Sequence, residues 1–373
     1  MRSTSTDAPA GEATPDWAPI HQPQGGMMRA WRLHGPLDLR LTQLPQPTPP
    51  PGWVKVRIRT VQPSITETLL YEGHRTYGHA LIQSALAQGP AQVFGHEFSG
   101  EVVALGEGVS TLTIGDRVAA RGSHPEGIVG FDYPGALADF GVFPASLFVR
   151  LPAHVSDGEG AAIQPLSDAV AAVHAAHIRL GDVVVIIGLG SMGLACLQVA
   201  RSAGAGLVIA IARRPEALAL ARSLGADQVL DANTDDVVAR VRALTDGAGA
   251  DVVIETAGGP TALGLAGNET LLQAGGMLRD EGTVVGVAFD GEATQLPYGV
   301  FRFRSLRFVY PSVLTRRLFE TSVHLVATGR VHLLPLISCV LEGIEQIPTA
   351  FERTARKAQY GLINPAQVVI SRG

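Results

Sequence analysis

Val183-Val184-Val185-Ile186-Ile187-Gly188-Leu189-Gly190-Ser191-Met192-Gly193 is the most informative stretch of the chain. Five consecutive aliphatic residues leave no polar face, which predicts a strand buried on both sides within a parallel sheet. Three glycines follow at once, and Leu194–Ser202 continues with helical spacing. In a chain with 43 glycines the spacing alone carries little, but strand, glycine turn and helix in that order form the setting of a phosphate-binding turn. Gly188 permits the tight turn, Gly190 lets backbone approach a diphosphate, and Gly193 lets the helix lie close on its strand. The helix N-terminus adds free N–H groups and the positive end of its dipole. Gly188, Leu189, Gly190, Ser191, Met192 and Gly193 are therefore candidate dinucleotide contacts.

Downstream, the pattern alternates. Leu207–Ile211, Gln228–Leu230, Asp251–Glu255 and Thr283–Val287 read as strands, with helices at Pro215–Leu224 and Asp235–Leu244. This predicts an α/β fold with a doubly wound parallel sheet. Ala257 and Val287, at the ends of the last two strands, are further candidate cofactor contacts. The second strand ends in Ala212-Arg213-Arg214, where NAD-binding folds place an acid about 20 residues beyond the glycines. Two guanidinium groups suit a ribose 2′-phosphate instead, because the planar fork binds oxyanions in pairs of hydrogen bonds. NADP(H) is favoured over NAD(H); the plainer alternative is a pair of solvated arginines.

Upstream, residues 1–26 are rich in Ser, Thr, Pro and Gly and read as a flexible tail. Ala30–Leu33, Trp53–Val61 and the glycine-punctuated run from Phe94 to Val118 alternate like strands of a barrel, and Ser167–Ile178 reads as a helix. Arg302, Arg304 and Arg307, interleaved with Phe301, Phe303 and Phe308, read as an edge strand. Helices at Arg317–Thr328 and Ile344–Thr354 precede a closing strand, Gln367–Ser371. The expected division is a tail at 1–26, a β-rich domain at 27–165, a nucleotide domain at 166–310, and a return to the first domain at 311–373. A net charge of -5 argues against nucleic acid, which needs a basic face. No apolar run nears the roughly 18 residues of a membrane helix, and no secretory signal is apparent, so the cytoplasm is expected. Cys196 and Cys339, the two cysteines, exclude a disulfide framework and a four-thiolate zinc site.

Several further blocks stand in order: Phe94-Gly95-His96-Glu97, Gly115-Asp116-Arg117-Val118, Gly135-Ala136, Ala138-Asp139-Phe140, Gln164-Pro165-Leu166 and Leu224-Gly225-Ala226-Asp227. With the glycine turn, they make the chain resemble the medium-chain dehydrogenase/reductase superfamily, the zinc alcohol dehydrogenase-like proteins. The resemblance implies a GroES-like catalytic domain, a Rossmann coenzyme domain, hydride transfer in the cleft between them, and a homodimer or homotetramer joined at the Rossmann edge. It also implies that Leu70–Val93 helps wall the substrate cleft, although a surface helix or loop explains that segment equally well.

The departures concern metal. Where the family's zinc enzymes carry Cys-Gly-(Ser/Thr)-Asp, this chain has Ser64-Ile65-Thr66-Glu67. The family's other ligands match His96, Glu97 and Gln164. Serine hydroxyl and glutamine amide are neutral and poor zinc donors, and zinc usually takes at least three protein ligands. Rescue by Glu67, His74 or His79 stays open. The structural zinc lobe has no counterpart, since Arg121–Asp139 holds no cysteine. Without metal, Thr66 or Ser64 would contact the substrate oxygen, on one face if the segment is extended, with His96 or Glu67 feeding the proton. The candidate catalytic residues are thus Ser64, Thr66, Glu67, His96, Glu97 and Gln164, with no metal ligand. His174 and His177 read as surface or packing residues. The expected activity is NADPH-dependent reduction of the ketone or aldehyde of a polar, possibly sugar-like metabolite. The alternatives are a zinc-dependent polyol or alcohol dehydrogenase with altered ligands, an enoyl or quinone reductase, and a non-catalytic nucleotide-binding protein.

Overall fold

Val183–Ile187 forms the central strand of a six-stranded sheet in which every neighbouring pair is parallel. Leu207–Ala212 and Gln228–Asp231 lie to one side of it; Ala250–Glu255, Leu278–Gly286 and Arg307–Val309 lie to the other. Both faces are covered, which is why the strand carries no polar residue. Val184 and Ile186 join the core with Ala169, Val173 and Leu197, while Val185 and Ile187 join the opposite core with Val241, Leu271 and Met277. The strand order reverses between Val183–Ile187 and Ala250–Glu255, and a crevice opens at the carboxyl ends of such a pair. The computed structural model describes residues 26–124, 127–259, 266–288 and 296–372. The expected tail therefore lies, but for Gly26, outside the described residues.

A second sheet runs Val340–Glu342, Gln367–Val369, Trp53–Gln62, Glu97–Leu105, Arg117–Ala120, Phe148–Arg150, with Phe140–Pro144 also paired to Trp53–Gln62. Val56, Ile58, Phe98, Phe143 and Phe148 fill its core. Val368 and Val369 pair with Val61 and Thr60, so the end of the chain closes onto this sheet. Between the two sheets runs the 20-residue helix Asp157–Ala176. Its Ile163 and Leu166 share a core with Ala119 of one sheet and Val184 of the other. No helix among the described residues is long and apolar enough to cross a membrane.

Several expectations need correction. The bridging helix begins ten positions before Ser167, because Ser156 and Glu159 form a capping box and the helix then runs through Pro165. Gln164 accordingly lies inside it. Ser64 and Thr66 do not share an extended strand: Ser64 caps the helix Ile65–Tyr71, with Glu67 completing a second capping box. The arginine–phenylalanine segment is a helix, Tyr298–Phe303, and only Arg307–Val309 is strand. Within Leu70–Val93, His79–Ala87 is a helix.

Candidate active site

The glycine turn gives each glycine a different reason to be glycine. Gly188 sits at φ +91°, and a Cβ there would lie 2.8 Å from Thr256 Oγ1. A Cβ on Gly193 would lie 1.8 Å from the Gly188 carbonyl oxygen, so the helix Ser191–Ala203 rests on the turn with no room for a methyl. Gly190 caps that helix in the open, with nothing within 4 Å of its Cβ position. Close packing thus explains Gly188 and Gly193 but not Gly190, whose open face suits a diphosphate. Met192 and Leu189 pack into the core beneath the turn. Across the crevice, the amide N–H groups of Ala257 and Gly258 both donate to Glu255 Oε1 at 2.7 Å, and Val287 N donates to the Glu255 carbonyl at 2.9 Å. Burial pushes the Glu255 carboxyl above its ordinary range.

Ala212 ends its strand, and Arg213 and Arg214 follow with different fates. Arg213 is exposed, and its carbonyl accepts a hydrogen bond from Asn233 Nδ2 at 2.7 Å. Arg214 donates from Nη1 to the Leu362 carbonyl at 2.8 Å, tying the nucleotide sheet to the C-terminal segment. The half-buried Lys357 lies in the same segment, pushed down to about 8 by burial and by the Arg214 charge, with Glu97 pulling the other way. Lys357 therefore stands within electrostatic reach of both ends of the site.

Away from the glycine turn, a second group of polar residues gathers around His96. Glu67, fully buried, accepts from the backbone N–H of Gly95 at 2.7 Å and of His96 at 3.2 Å, and its Oε1 lies 2.6 Å from His96 Nδ1. That leaves His96 Nε2 facing Glu97 Oε1 at 3.9 Å. The other Glu97 oxygen accepts from Gln62 Nε2 at 2.5 Å, and Gln62 Oε1 accepts from Gln367 Nε2 at 3.1 Å. Gln164 donates from Nε2 to Asp168 Oδ2 at 3.1 Å. Burial alone would push the His96 imidazole down. The charge and hydrogen bond of Glu67, aided by Glu97 and Asp168, outweigh it and hold the imidazolium up to about 9. Burial lifts Glu97 to about 8 against the pull of His96, and lifts Asp168 to about 6. Three carboxyl groups thus surround one imidazole.

Of the four residues that match zinc ligands in the resembling family, Ser64 and Gln164 are neutral donors, while His96 Nε2 and Glu97 stay open. Ser64 Oγ accepts from Glu67 N at 3.0 Å, and Gln164 offers its amide N–H to Asp168. Glu67 does not rescue the set, since it holds the rear nitrogen of His96. His74 pairs with Glu72 at 3.6 Å. Among the described residues no group of three or more His, Cys, Asp or Glu is placed to hold an ion. These donors do not fit zinc. Thr66 is half-buried on the same short helix as Glu67. The helix His79–Ala87 lines a cavity of about 440 Å³ together with Phe131, whose ring lies 6.0 Å from that of His96. His174 and His177 are exposed, 6.2 Å apart between ring centroids.

Asp168, Gln62 and Lys357 escaped the sequence reading. Asp168 follows Gln164 by one helical turn, a relation visible once the Ser156–Glu159 capping box is recognised. Gln62 sits opposite Glu97 in strand register, and Lys357 arrives only through the C-terminal closure.

Two family models match the chain: one described as an alcohol dehydrogenase GroES-like domain at residues 50–153, and one described as a zinc-binding dehydrogenase at 191–328. L-threonine 3-dehydrogenase of Pyrococcus horikoshii is 30% identical over 332 residues, covering 84% of this chain and 90% of that protein. (R,R)-butanediol dehydrogenase of Bacillus subtilis is 32% identical over 252 residues, covering 63% and 72%. Among solved structures, alcohol dehydrogenase TADH from Thermus sp. ATN1 superposes with a TM-score of 0.78 at 27% identity, covering 92% of this chain and all of that one. A dehydrogenase from Sinorhizobium meliloti 1021 bound to NADP superposes at 0.77 and 26% identity, covering 92% and 100%.

Proposed function

The chain belongs to the zinc-type medium-chain dehydrogenase/reductase superfamily, and from that premise we propose an NADPH-dependent carbonyl reductase that works without a catalytic zinc ion. At the coarser level it is an NAD(P)-dependent enzyme of the alcohol dehydrogenase type. Its substrate on this reading is the ketone or aldehyde of a polar, sugar-like metabolite.

Bound NADPH supplies the hydride. The backbone of Gly188, Leu189, Gly190, Ser191, Met192 and Gly193 would hold the diphosphate, Ala212, Arg213 and Arg214 the ribose 2′-phosphate, and Ala257 and Val287 would serve the nicotinamide end. The remaining task is to stabilise negative charge on the carbonyl oxygen and then protonate it. The observation that carries the reading is the Glu67–His96–Glu97 constellation. With Nδ1 bound to Glu67, the acidic N–H of His96 is on Nε2. The imidazolium puts a positive charge where relatives use a metal, and its Nε2 proton passes to the developing alkoxide. Glu97, held protonated by burial up to about pH 8, is placed to return a proton to Nε2. Thr66 offers a second hydroxyl to the oxygen. Ser64 and Gln164 act through others, Ser64 by capping the helix that carries Glu67 and Gln164 by fixing Asp168.

Metal analysis of the purified protein, with NADPH-dependent turnover of a carbonyl panel before and after chelation, tests this reading. We expect less than stoichiometric zinc and unchanged turnover; activity that disappears on chelation and returns with zinc refutes it. A second copy of the chain is expected at the edge strand Arg307–Val309, where Tyr298, Phe303, Tyr310 and Val313 are exposed. Sedimentation as a monomer at micromolar concentration would remove that part.

A further inference from the structure

Arg121 is 9% exposed, yet it has no acid to pair with among the described residues. Its Nε donates to the Ser123 carbonyl at 2.7 Å, and the N–H groups on Nη1 and Nη2 have no acceptor among those residues. A guanidinium carries five donors and cannot lose its charge in a protein, and the unpaired Nη groups of Arg121 keep contact with solvent, where an anion can reach them. The Arg121 backbone N–H donates to the Leu147 carbonyl at 3.1 Å, next to the Ser146 carbonyl that Arg316 holds. Burial and the charge of a second guanidinium, Arg316, both push Arg121 below its ordinary value. Arg316 begins the helix Arg316–Ala327, donates from Nη1 to the Ser146 carbonyl at 3.1 Å, and pairs through Nε with Glu320 Oε1 at 2.8 Å, one helical turn on. Ser146 Oγ in turn lies 2.8 Å from His124 Nε2. Two like charges held together with one of them buried is an arrangement that favours an oxyanion between them.

The position connects this pair to the reaction. Arg121 continues the strand Arg117–Ala120, in which Val118 and Ala120 face the barrel core, whereas Ala119 faces the core shared with the bridging helix. The next residue, Gly122 at φ +79°, brings its Cβ position within 2.9 Å of Gln164 Cγ and 3.4 Å of the His96 carbonyl oxygen. Arg316 follows a segment fastened to the same helix by Ser312 N donating to the Ala171 carbonyl at 3.1 Å. One residue therefore separates the uncompensated arginine from the catalytic cluster.

We propose that Arg121 and Arg316 form an oxyanion subsite beside the His96 cluster, and that the carbonyl compound reduced there carries a phosphate or carboxylate group. The substrate half of this statement rests on the reductase reading above; the anion site itself does not. A planar guanidinium pairs with either anion through two parallel hydrogen bonds. The second arginine is exposed and reachable by an anion from solvent.

Inorganic phosphate and malonate serve as the two probes, titrated calorimetrically into protein saturated with NADPH so that the 2′-phosphate arginines are already occupied. The wild-type protein binds at least one of them, and which one it binds assigns the anion. R121Q and the exposed-site variant R316Q each weaken that binding at least tenfold, and R121K restores part of it. Turnover of matched carbonyl compounds, one anionic and one neutral, falls at least tenfold further for the anionic member in both variants. Failure of the wild-type complex to bind either anion overturns the subsite, as does unchanged anion affinity in a folded R316Q. Equal losses for anionic and neutral compounds overturn its link to substrate. If no carbonyl is turned over at all, the reductase reading falls, while the titration still decides the subsite.

Discussion

Glu67→Gln is the most discriminating single change, because it keeps the side chain's shape and removes only its charge. A free imidazole titrates near 6.5, and His96 titrates at about 9. At ~1.4 kcal/mol per pH unit, that difference is a preference of ~3 kcal/mol for the imidazolium in the folded state. The folded value lies above the unfolded one, so this stability is whole below pH 6.5 and is lost as pH rises through about 9. In E67Q, burial is opposed only by Glu97 and Asp168, and His96 falls to its free value or below. The amide also loses the bond that Glu67 Oε2 accepts from Ser64 N, costing ~1 kcal/mol at every pH. The signature is therefore a slope. Denaturant unfolding at pH 6 shows E67Q less stable by ~4 kcal/mol, and at pH 9.5 the gap narrows to ~1 kcal/mol. Imidazole NMR signals report the His96 titration directly, and the alkaline limb of kcat/KM for carbonyl reduction moves down by about two pH units. A destabilisation that is flat between pH 6 and pH 9.5, or a His96 that still titrates near 9 in E67Q, refutes the proposed role of Glu67.

The glycine turn supports a paired test: Gly193→Ala forces a methyl to within 1.8 Å of the Gly188 carbonyl and should lower the thermal midpoint by several degrees, whereas Gly190→Ala meets nothing within 4 Å and should leave stability within ~0.5 kcal/mol. Fluorescence titration should nevertheless show G190A losing at least tenfold in NADPH affinity, and a G190A protein that binds normally would mean the diphosphate lies elsewhere. Replacing Arg213 and Arg214 together by alanine should weaken NADPH by ~1.5–3 kcal/mol and spare NADH, since charged hydrogen bonds to a 2′-phosphate are of that size. Equal losses for both nucleotides would return these arginines to the role of a solvated pair. Wild-type protein that binds NADH as tightly as NADPH would do the same.

What the sequence disclosed follows the range of the forces involved. Val183–Ile187 announced a doubly covered strand because burial on both faces leaves a continuous aliphatic run, a purely local record. Gly193 likewise answers a local constraint, the Gly188 carbonyl five positions back, whereas Gly188 answers Thr256 across the sheet. Ser64 and Ser156 were equally local: each precedes a glutamate by three positions, and both capping boxes were available to be read. The shared face expected of Ser64 and Thr66 holds only for an extended segment, and the capping box makes Ser64 a helix cap instead. The arginine–phenylalanine segment misled for a different reason, since alternating large side chains fit a strand and a short helix alike.

The charge balance of the site was beyond any such reading. Glu67 and His96 are 29 positions apart, Glu97 meets Gln62 only through antiparallel register, and Asp168 and Lys357 come from the bridging helix and the C-terminal segment. Each of these residues, taken singly, is an ordinary polar side chain. Gathered out of water, carboxyl groups near one imidazole favour keeping a proton beyond that on His96, since burial raises both Glu97 and Asp168. Glu97 is the group that keeps it, being raised furthest. A carboxylate on Nδ1 is the usual support of a metal-binding imidazole and leaves Nε2 open, so what makes the site poor for zinc is its neutral serine and glutamine, while the burial of Glu97 and Asp168 suits it to storing a proton. Independence of metal and the reserve proton are therefore separate proposals, and chelation tests the first while E67Q tests the charge that holds the His96 proton.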